Sequence, residues 1–193
     1  MHLKGGSGIT DSADRKKILD LARRSVEAAA AGNPLPDVPA LDVLRKEGGA
    51  FVTLRKYGSL RGCIGHFTGT GTLGRTVIEM AASAAVNDPR FPKVNSEEVD
   101  NLDLEISLLS PMILTGPEDV VPGIHGIYIK SGFRSGTLLP QVAVEQGWDR
   151  ETFLSQTCIK AGLSPDSWKQ ENVQIYTYTA EVFGDSEKGA DSE

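Results

Sequence analysis

Two periodicities of apolar residues run along this chain, one typical of helices and one typical of strands. Between residues 11 and 31 the apolar positions recur every three or four residues, which predicts an amphipathic helix. Ser12 is a suitable N-cap for this helix, and Gly32 can end it in the left-handed conformation. Between residues 102 and 108 every second residue is Leu or Ile, which predicts a strand with one buried face. Glu105 then lies on the opposite face of that strand.

The other segments extend this into a mixed series of helices and strands. Residues 50–67 are typical of a β-hairpin with its turn at 56–59. The remaining predicted elements are a helix from residue 72 to 84, two short strands within 123–141, a helix from 149 to 161 and a strand from 173 to 183. This order favours an α+β fold with a largely antiparallel sheet flanked by helices. We expect a mobile N-terminus at residues 1–13, one domain at 14–183 and a disordered acidic tail at 184–193.

The octapeptide LRGCIGHF forms the second strand of that hairpin and contains an unusual set of residues. Glycine within a strand usually marks a bulge or the close approach of another backbone or a ligand, and Gly62 and Gly65 flank Cys63 in this way. Simple alternation places Arg61 on the same face as Cys63 and His66 on the opposite face. A bulge would instead bring Cys63 and His66 to one face. The segment therefore predicts either a ligand-facing strand or a tight bend around a buried cysteine.

The composition of the 193 residues is that of a globular protein, with 39% hydrophobic and 24% charged residues. No stretch approaches the roughly 18 apolar residues that span a membrane, and the first residues lack the apolar segment of a secretion signal. We therefore expect a cytoplasmic protein. The net charge of −6 argues against nucleic-acid binding, because proteins that bind phosphate backbones usually carry a basic face. Two cysteines are too few for a disulfide framework.

Several sequence blocks carry a resemblance to a known family. They are LRGCIGHF, NDPRFPKV, LEISLLSP, GIHGIYIKSG, GTLLPQVAVEQGWDRETFLSQTCIKAGL and VQIYTYTAEVF. Through them the chain resembles the AMMECR-one domain family over residues 14–183. The resemblance implies an α+β fold in two unequal lobes, with the blocks lining a cleft between them. Many bacterial and archaeal members are named AmmeMemoRadiSam system protein A, which implies a Memo-like protein and a radical S-adenosylmethionine (radical SAM) protein as partners. It implies no particular reaction or cofactor.

Cys63 is the first candidate for chemistry. The thiolate is the nucleophilic form of cysteine, and a neighbouring cation favours it. Arg61, His66 and Arg90 are the candidate cations, and His125, set between two glycines, is a candidate base. Many relatives carry a small residue where this chain has His66, which argues against an indispensable imidazole there. The alternative is that Cys63 is a packed and inert thiol, as free cysteines usually are.

Glu105 and Gln141 complete the set of candidates. Glu105 could act as a general base or could fix Arg61 or Arg90 through a bidentate ion pair, whereas a solvated carboxylate is the simpler alternative. Gln141 is polar within an apolar run, and its amide could bind a substrate. The two cysteines and two of the histidines could imitate a Cys2His2 zinc set, but they are scattered rather than paired, so no metal site is predicted.

Two classes of function stay open. The protein is either an enzyme or substrate-handling subunit acting on a small molecule or modified residue, or a non-catalytic adaptor that docks its partners. Polar groups converging on a pocket favour the first class, and an exposed apolar patch carrying them favours the second. We expect Cys63, Glu105 and His125 to meet in one pocket. Cys158 shares an apolar helix stripe with Leu154, so it should be buried.

Overall fold

The computed structural model describes residues 10–67 and 71–185, and these fall into two compact units. The larger unit contains the residues up to Leu109 and those from Glu181 onward, and the smaller unit contains Ser110–Ala180. Each unit has a four-stranded antiparallel sheet and helices of its own. The predicted α+β fold is confirmed.

The larger unit combines three α-helices and four strands within the described residues. The helices are α1 (Ser12–Ala31), α2 (Asp42–Arg45) and α3 (Leu73–Val86), and a 3-10 helix spans Ser96–Asn101. The strands are β1 (Gly49–Lys56), β2 (Ser59–His66), β3 (Leu102–Leu109) and, late in the chain, β8 (Ala180–Gly184). They lie in the order β2-β1-β3-β8, so β2 is at an edge of the sheet.

The beginning of α1 differs slightly from the sequence prediction. Asp11 is the N-cap rather than Ser12, because the Asp11 carboxylate accepts a hydrogen bond from the Asp14 N–H at 2.8 Å. The predicted end is confirmed, since Gly32 adopts the left-handed conformation with φ of 69°. Most of the residues predicted to form a mobile N-terminus and a disordered tail lie outside the described residues, at positions 1–9 and 186–193.

One face of the larger sheet forms the core of this unit. Leu104 and Ile106 on β3 and Val52 and Leu54 on β1 are at most 2% exposed. The apolar stripes of α1 and α3 belong to the same cluster; their members include Ile18, Leu21, Val26, Val77 and Ala81. The alternation predicted for β3 is confirmed, and Glu105 lies half-buried on the opposite face.

The edge strand β2 approaches α3 so closely that a glycine is required. Gly62 is paired with the buried Leu54, so it lies on the core face. A Cβ atom at Gly62 would overlap the backbone carbonyl oxygen of Ala84 in α3. Packing against a helix backbone, which cannot move aside cheaply, therefore explains this glycine.

The pairing of β1 with β2 contains an irregularity before Cys63. Gly62 is paired with Leu54, but Leu60 is paired with the next residue of β1, so Arg61 is the extra residue of a bulge. From Gly62 to His66 the pairing is continuous. Cys63 and His66 therefore point to opposite faces, as simple alternation predicted.

The smaller unit has the strand order β4-β7-β5-β6. Its strands are β4 (Ile113–Thr115), β5 (Gly126–Ser131), β6 (Arg134–Leu138) and β7 (Gln174–Tyr178), and its α-helices are α4 (Pro140–Glu145) and α5 (Arg150–Lys160). Its core cluster includes Ile127, Ile129, Phe153, Leu154 and Ile175. The two short strands predicted within residues 123–141 are confirmed as β5 and β6. Across residues 10–67 and 71–185, no helix is long and apolar enough to cross a membrane.

We expect Gly62→Ala to lower the free energy of unfolding by about 2–3 kcal/mol, because the added methyl group must displace the backbone of α3. Gly71→Ala is the matched control, since a Cβ atom there meets nothing within 4 Å, and it should change stability by no more than about 0.5 kcal/mol. Urea unfolding followed by circular dichroism measures both. Equal effects of the two substitutions would contradict the close contact between β2 and α3.

Candidate functional site

Cys63, Thr53 and Glu105 form one row across three strands on the outer face of the larger sheet, opposite the buried face. Thr53 on β1 is paired with Cys63 on β2 and with Glu105 on β3. Directly paired residues of neighbouring strands point to the same face, and their Cβ atoms are about 5 Å apart. The Thr53 hydroxyl donates a hydrogen bond to the Cys63 sulfur at 3.3 Å. The fold thus places two of the predicted catalytic candidates, Cys63 and Glu105, on one surface.

The backbone of Cys63 is anchored by an ion pair from the segment that follows α3. The Cys63 N–H donates to the Asp88 carboxylate at 2.9 Å, and Arg90 Nη2 donates to the Cys63 carbonyl oxygen at 3.0 Å. Arg90 also donates to both carboxylate oxygens of Asp88, from Nε at 2.9 Å and from Nη2 at 2.7 Å. We call this arrangement the Asp88–Arg90 clamp.

The carboxylate of the clamp is almost fully enclosed. The side chain of Asp88 is 2% exposed, whereas that of Arg90 is 54% exposed. The Arg90 guanidinium holds the pKa of Asp88 well below its usual range, against the effect of burial, and the Cys63 N–H adds to this lowering. Asp88 is therefore ionised at neutral pH, where its carboxylate accepts the hydrogen bond from the Cys63 N–H.

Arg61 is bound by a carboxylate of its own on the 3-10 helix. Its Nε and Nη2 donate to the two carboxylate oxygens of Glu98 at 3.2 and 3.1 Å, and its Nη1 donates to the Pro92 carbonyl oxygen at 2.8 Å. Lys56 donates to the same carboxylate at 2.9 Å. Hydrogen bonds from Arg61 first and Lys56 second lower the pKa of Glu98 to about 2.

Of the two roles considered for Glu105, the ion pair with Arg61 or Arg90 is not formed. Arg61 is paired with Glu98, and Arg90 is paired with Asp88. Glu98 and Asp88 both follow the octapeptide in the chain. From outside the sheet edge, Glu98 binds the side chain of Arg61 and Asp88 binds the backbone of Cys63. Glu105 lies two strands away from that edge, because β1 separates β3 from β2.

Gly65 makes room for an aromatic ring on the outer face. A Cβ atom at Gly65 would overlap the ring of Phe51, its partner on β1. Phe51 also contacts Phe67 edge-on, with ring centroids 4.9 Å apart. Packing thus gives a sufficient reason for both Gly62 and Gly65, and their predicted roles in ligand binding stay predictions.

Ser107 adds a hydroxyl group to the outer face. It is paired with Phe51 and lies two residues from Glu105, so it occupies the next row on the same face. Ser107 is only 5% exposed, yet among residues 10–67 and 71–185 nothing hydrogen-bonds to its hydroxyl group. No enclosed side-chain oxygen of the described residues lacks a partner, so the Ser107 oxygen reaches the surface, where it can bind water or a ligand's polar group.

Sequence reasoning missed Thr53, Asp88 and Ser107. Asp88 could have been found, because it lies two residues before Arg90 in a block that was already singled out. Ser107 shares the face of Glu105 by simple alternation along their strand. Thr53 enters the site through strand register, which no local pattern in the sequence specifies.

His125 and Gln141 lie in the smaller unit. His125 closes a turn before β5. Its ring Nδ1 accepts from the Val121 N–H at 3.2 Å, and its backbone N–H donates to the Val121 carbonyl oxygen at 2.9 Å. Gln141 is half-buried in the first turn of α4 rather than in a strand. The meeting of His125 with Cys63 and Glu105, and the binding role of Gln141, stay predictions.

The second cysteine has the surroundings of a packing residue. Cys158 on α5 is fully buried, as predicted, and burial raises the pKa of its thiol. Cys63, in contrast, is half-buried. Within the described part of the chain, no group of three or more histidine, cysteine or carboxylate side chains could hold a metal ion.

Two surface cavities of the larger unit lie away from Cys63. One of about 490 Å³ is lined by α1 and the 3-10 helix, with Glu27 and Asp100 among its walls. The other, of about 280 Å³, lies between the linker that contains Val38 and the first turns of α3. Neither is lined by Cys63 or Glu105, so the candidate site is a surface of the sheet rather than one of these cavities.

We expect iodoacetamide to label Cys63 at least about ten times faster than Cys158 in the folded protein, because only Cys63 offers a partly accessible sulfur. Quantifying the two alkylated peptides by mass spectrometry over time measures both rates in one sample. In 6 M guanidinium chloride the two rates should converge, which serves as the control. Equal protection of both thiols in the folded protein would reduce Cys63 to a packing residue.

Glu98→Gln should lower the free energy of unfolding at pH 7 by about 1–2 kcal/mol, because it removes the charge that pairs with Arg61 and Lys56. The pKa of Glu98 is lowered on folding, so its stabilisation is complete above the ordinary value of 4.5 and is lost as the pH falls to about 2. The difference between wild type and variant should therefore shrink between these pH values. Glu97→Gln, at an exposed neighbouring position, is the control and should show no such pH dependence.

The chain has close relatives among archaeal proteins. The sequence profile of the AMMECR1 family matches residues 19–183. A protein of Methanothermobacter thermautotrophicus is 42% identical over 179 residues, which cover 87% of this chain and 92% of that protein. Protein PH0010 of Pyrococcus horikoshii is 43% identical over 181 residues, covering 86% and 87% of the two chains.

A crystal structure supports the same relationship. That of uncharacterized protein PH0010 from Pyrococcus horikoshii matches this fold with a TM-score of 0.81 and 40% sequence identity, and the match covers 92% of this chain and 94% of that one. The resemblance carried by the sequence blocks is thereby confirmed. The chain belongs to the AMMECR1 family.

Proposed function

We propose that this protein is a cytosolic enzyme or substrate-handling subunit that acts on a small molecule or a modified residue, with Cys63 as the group that meets the substrate. One observation carries the proposal. The Asp88–Arg90 clamp fixes the N–H and the C=O of Cys63, while the residue stays half-buried and its sulfur accepts a hydrogen bond from Thr53. A reactive group needs this combination of a fixed position and an accessible atom.

The contrast with Cys158 supports this interpretation. Cys158 has no accessible surface, and burial disfavours its thiolate. Cys63 lies among polar and charged groups on an outer face instead of in a core cluster. The two thiols of the chain thus occupy opposite environments, and only that of Cys63 permits reaction.

The chemistry that the row supports best is addition of the Cys63 sulfur to an electrophilic carbonyl carbon. The thiol gives its proton to water as the sulfur–carbon bond forms. The electron pair of the carbonyl double bond moves to its oxygen, which then takes a proton from water. The Ser107 hydroxyl, one row away, is free to bind a polar group of the same substrate.

The charges around this row favour a neutral or cationic substrate. Arg61 and Arg90 are the nearest predicted cations, and both are neutralised by Glu98 and Asp88. Glu105 has no ion-pair partner within the described ranges of the chain. The row therefore contributes a net negative charge, which disfavours a phosphate-bearing substrate.

An adaptor that docks a Memo-like and a radical SAM protein is the second candidate function. An exposed apolar patch of the smaller unit favours it: Val121, Ile124 and Val144 are 43%, 58% and 67% exposed. They lie close together, because Ile124 and Val121 share a turn and a Cβ atom on Gly123 would touch Val144. Cys63 and Glu105 lie in the other unit and are not part of this patch.

Substitution of the two cysteines tests the first function. In cells that lack the protein, Cys63→Ala should fail to restore the missing metabolic step, whereas Cys158→Ala should restore it unless it unfolds. Cys63→Ala removes one half-buried sulfur, so its free energy of unfolding should fall by about 1 kcal/mol or less. Untargeted metabolite profiling measures restoration, and thermal denaturation of the purified proteins measures folding.

Pull-down of the two partner proteins from the same cells separates enzyme from adaptor. Under the enzyme proposal, Cys63→Ala keeps both partners and loses the metabolic step. Under the adaptor alternative, Val144→Asp loses the partners and Cys63→Ala behaves as wild type. Full restoration by a folded Cys63→Ala protein would end the proposal that Cys63 meets the substrate.

A further inference from the structure

We propose that Thr53 is a positioning residue that holds the Cys63 sulfur through its hydroxyl group and stabilises the sulfur when it carries negative charge. This inference rests on the proposed role of Cys63 as the reacting group and assigns a function to its neighbour. It is carried by the strand register, by the backbone hydrogen bonds of Cys63 and by the contact between the two side chains.

The backbone determines how close the two side chains lie. The N–H and C=O of Cys63 point out of the sheet edge to Asp88 and Arg90, so they are not available to β1. Cys63 and Thr53 are therefore a non-hydrogen-bonded pair of the antiparallel ladder, the kind in which facing side chains are closest. The observed distance of 3.3 Å between Thr53 Oγ1 and Cys63 Sγ follows from this pairing.

Thr53 is well suited to hold a fixed direction. It belongs to β1, which has a neighbouring strand on each side, and its branched side chain restricts rotation about χ1. Its hydroxyl donates to the sulfur of Cys63. A hydrogen bond to an ionised group is shorter and stronger than one to a neutral group, so the donor stabilises the thiolate more than the thiol.

The charges that surround Cys63 nearly cancel, so the groups that act on the sulfur itself are the Thr53 hydroxyl, at 3.3 Å, and Arg90. Asp88 and Arg90 neutralise one another beside its backbone. Glu105, across Thr53, opposes a second negative charge in the same row. The other charged residues on the adjoining elements are Arg61 with Glu98 and Lys56, and the paired outer-face residues Arg55 and Asp103 of β1 and β3.

Alkylation of Cys63 in the absence of any substrate tests this role. The purified variants Thr53→Val, Thr53→Ser, Glu105→Gln and Ser107→Ala are treated with iodoacetamide at pH 7.5, and the modified Cys63 peptide is quantified over time. Thr53→Val keeps the shape of the side chain and removes the donor, so the rate should fall about tenfold. Thr53→Ser keeps the donor and should remain within about twofold of wild type.

Glu105→Gln should change the rate in the opposite direction, raising it a few-fold, because it removes a negative charge from the row. Ser107→Ala, one row away, should leave the rate within about twofold of wild type. The rate for Cys158 in the same samples shows whether a variant has loosened the fold. A rise for both cysteines identifies such a variant, whose Cys63 rate is then normalised to that of Cys158.

Two results would overturn the inference. One is a Thr53→Val rate equal to that of wild type, which would mean that the hydroxyl does not act on the sulfur. The other is a Thr53→Ser rate as low as that of Thr53→Val, which would mean that a hydroxyl donor at this position is not what sets the rate. Neither result depends on turnover of a substrate. The proposed function is tested separately, by whether Cys63→Ala restores the metabolic step in cells, so the two failures can be distinguished.

Discussion

The candidate site depends on one ion pair between an enclosed carboxylate and a half-exposed arginine, the Asp88–Arg90 clamp on the backbone of Cys63. Strand β2 is at the edge of its sheet, and an edge strand leaves N–H and C=O groups without a partner strand. At Cys63 those two groups are satisfied by a carboxylate and a guanidinium. Removing the Arg90 side chain would leave an almost fully enclosed carboxylate without its cation, a loss of about 1–3 kcal/mol because Asp88 keeps its backbone donors. The clamp thus fixes the position of the proposed nucleophile, Cys63, and also stabilises the fold.

The Asp88–Arg90 clamp and the ion pair of Arg61 with Glu98 change what these two arginines can do. A sequence with Arg61 and Arg90 near a cysteine suggests cations that act on the thiol or on an anionic substrate. In the folded chain each arginine is bound to its own carboxylate, and both bind backbone carbonyl oxygens. Both fix the segment after α3 against β2, and Arg90 also interacts with the Cys63 thiol. The electrostatic character of the outer face is left to Glu105 and to hydroxyl groups, which favours weakly polar or cationic ligands.

The secondary structure was largely predictable, because each element carries its own local signal. Alternating Leu and Ile residues predicted β3 and its buried face, and the spacing of apolar residues predicted α1. The site was predictable only in part. An ion pair with Arg61 or Arg90 was one of two roles considered for Glu105. The partners of the two arginines are instead Glu98 and Asp88, which are set by how the loop after α3 folds back. No periodic pattern of residues in the sequence indicates that this loop folds back.

The sequence by itself determined the α+β class, the family, and the candidacy of Cys63 and Glu105, since these follow from residue patterns along the chain. The tertiary structure alone decided that Thr53 stands between them. The physical reason is register: shifting a strand by one residue turns every side chain to the other face, and the pairing is fixed by packing of the whole sheet against its helices. Contacts between distant segments, rather than local preference, place the side chains of this site.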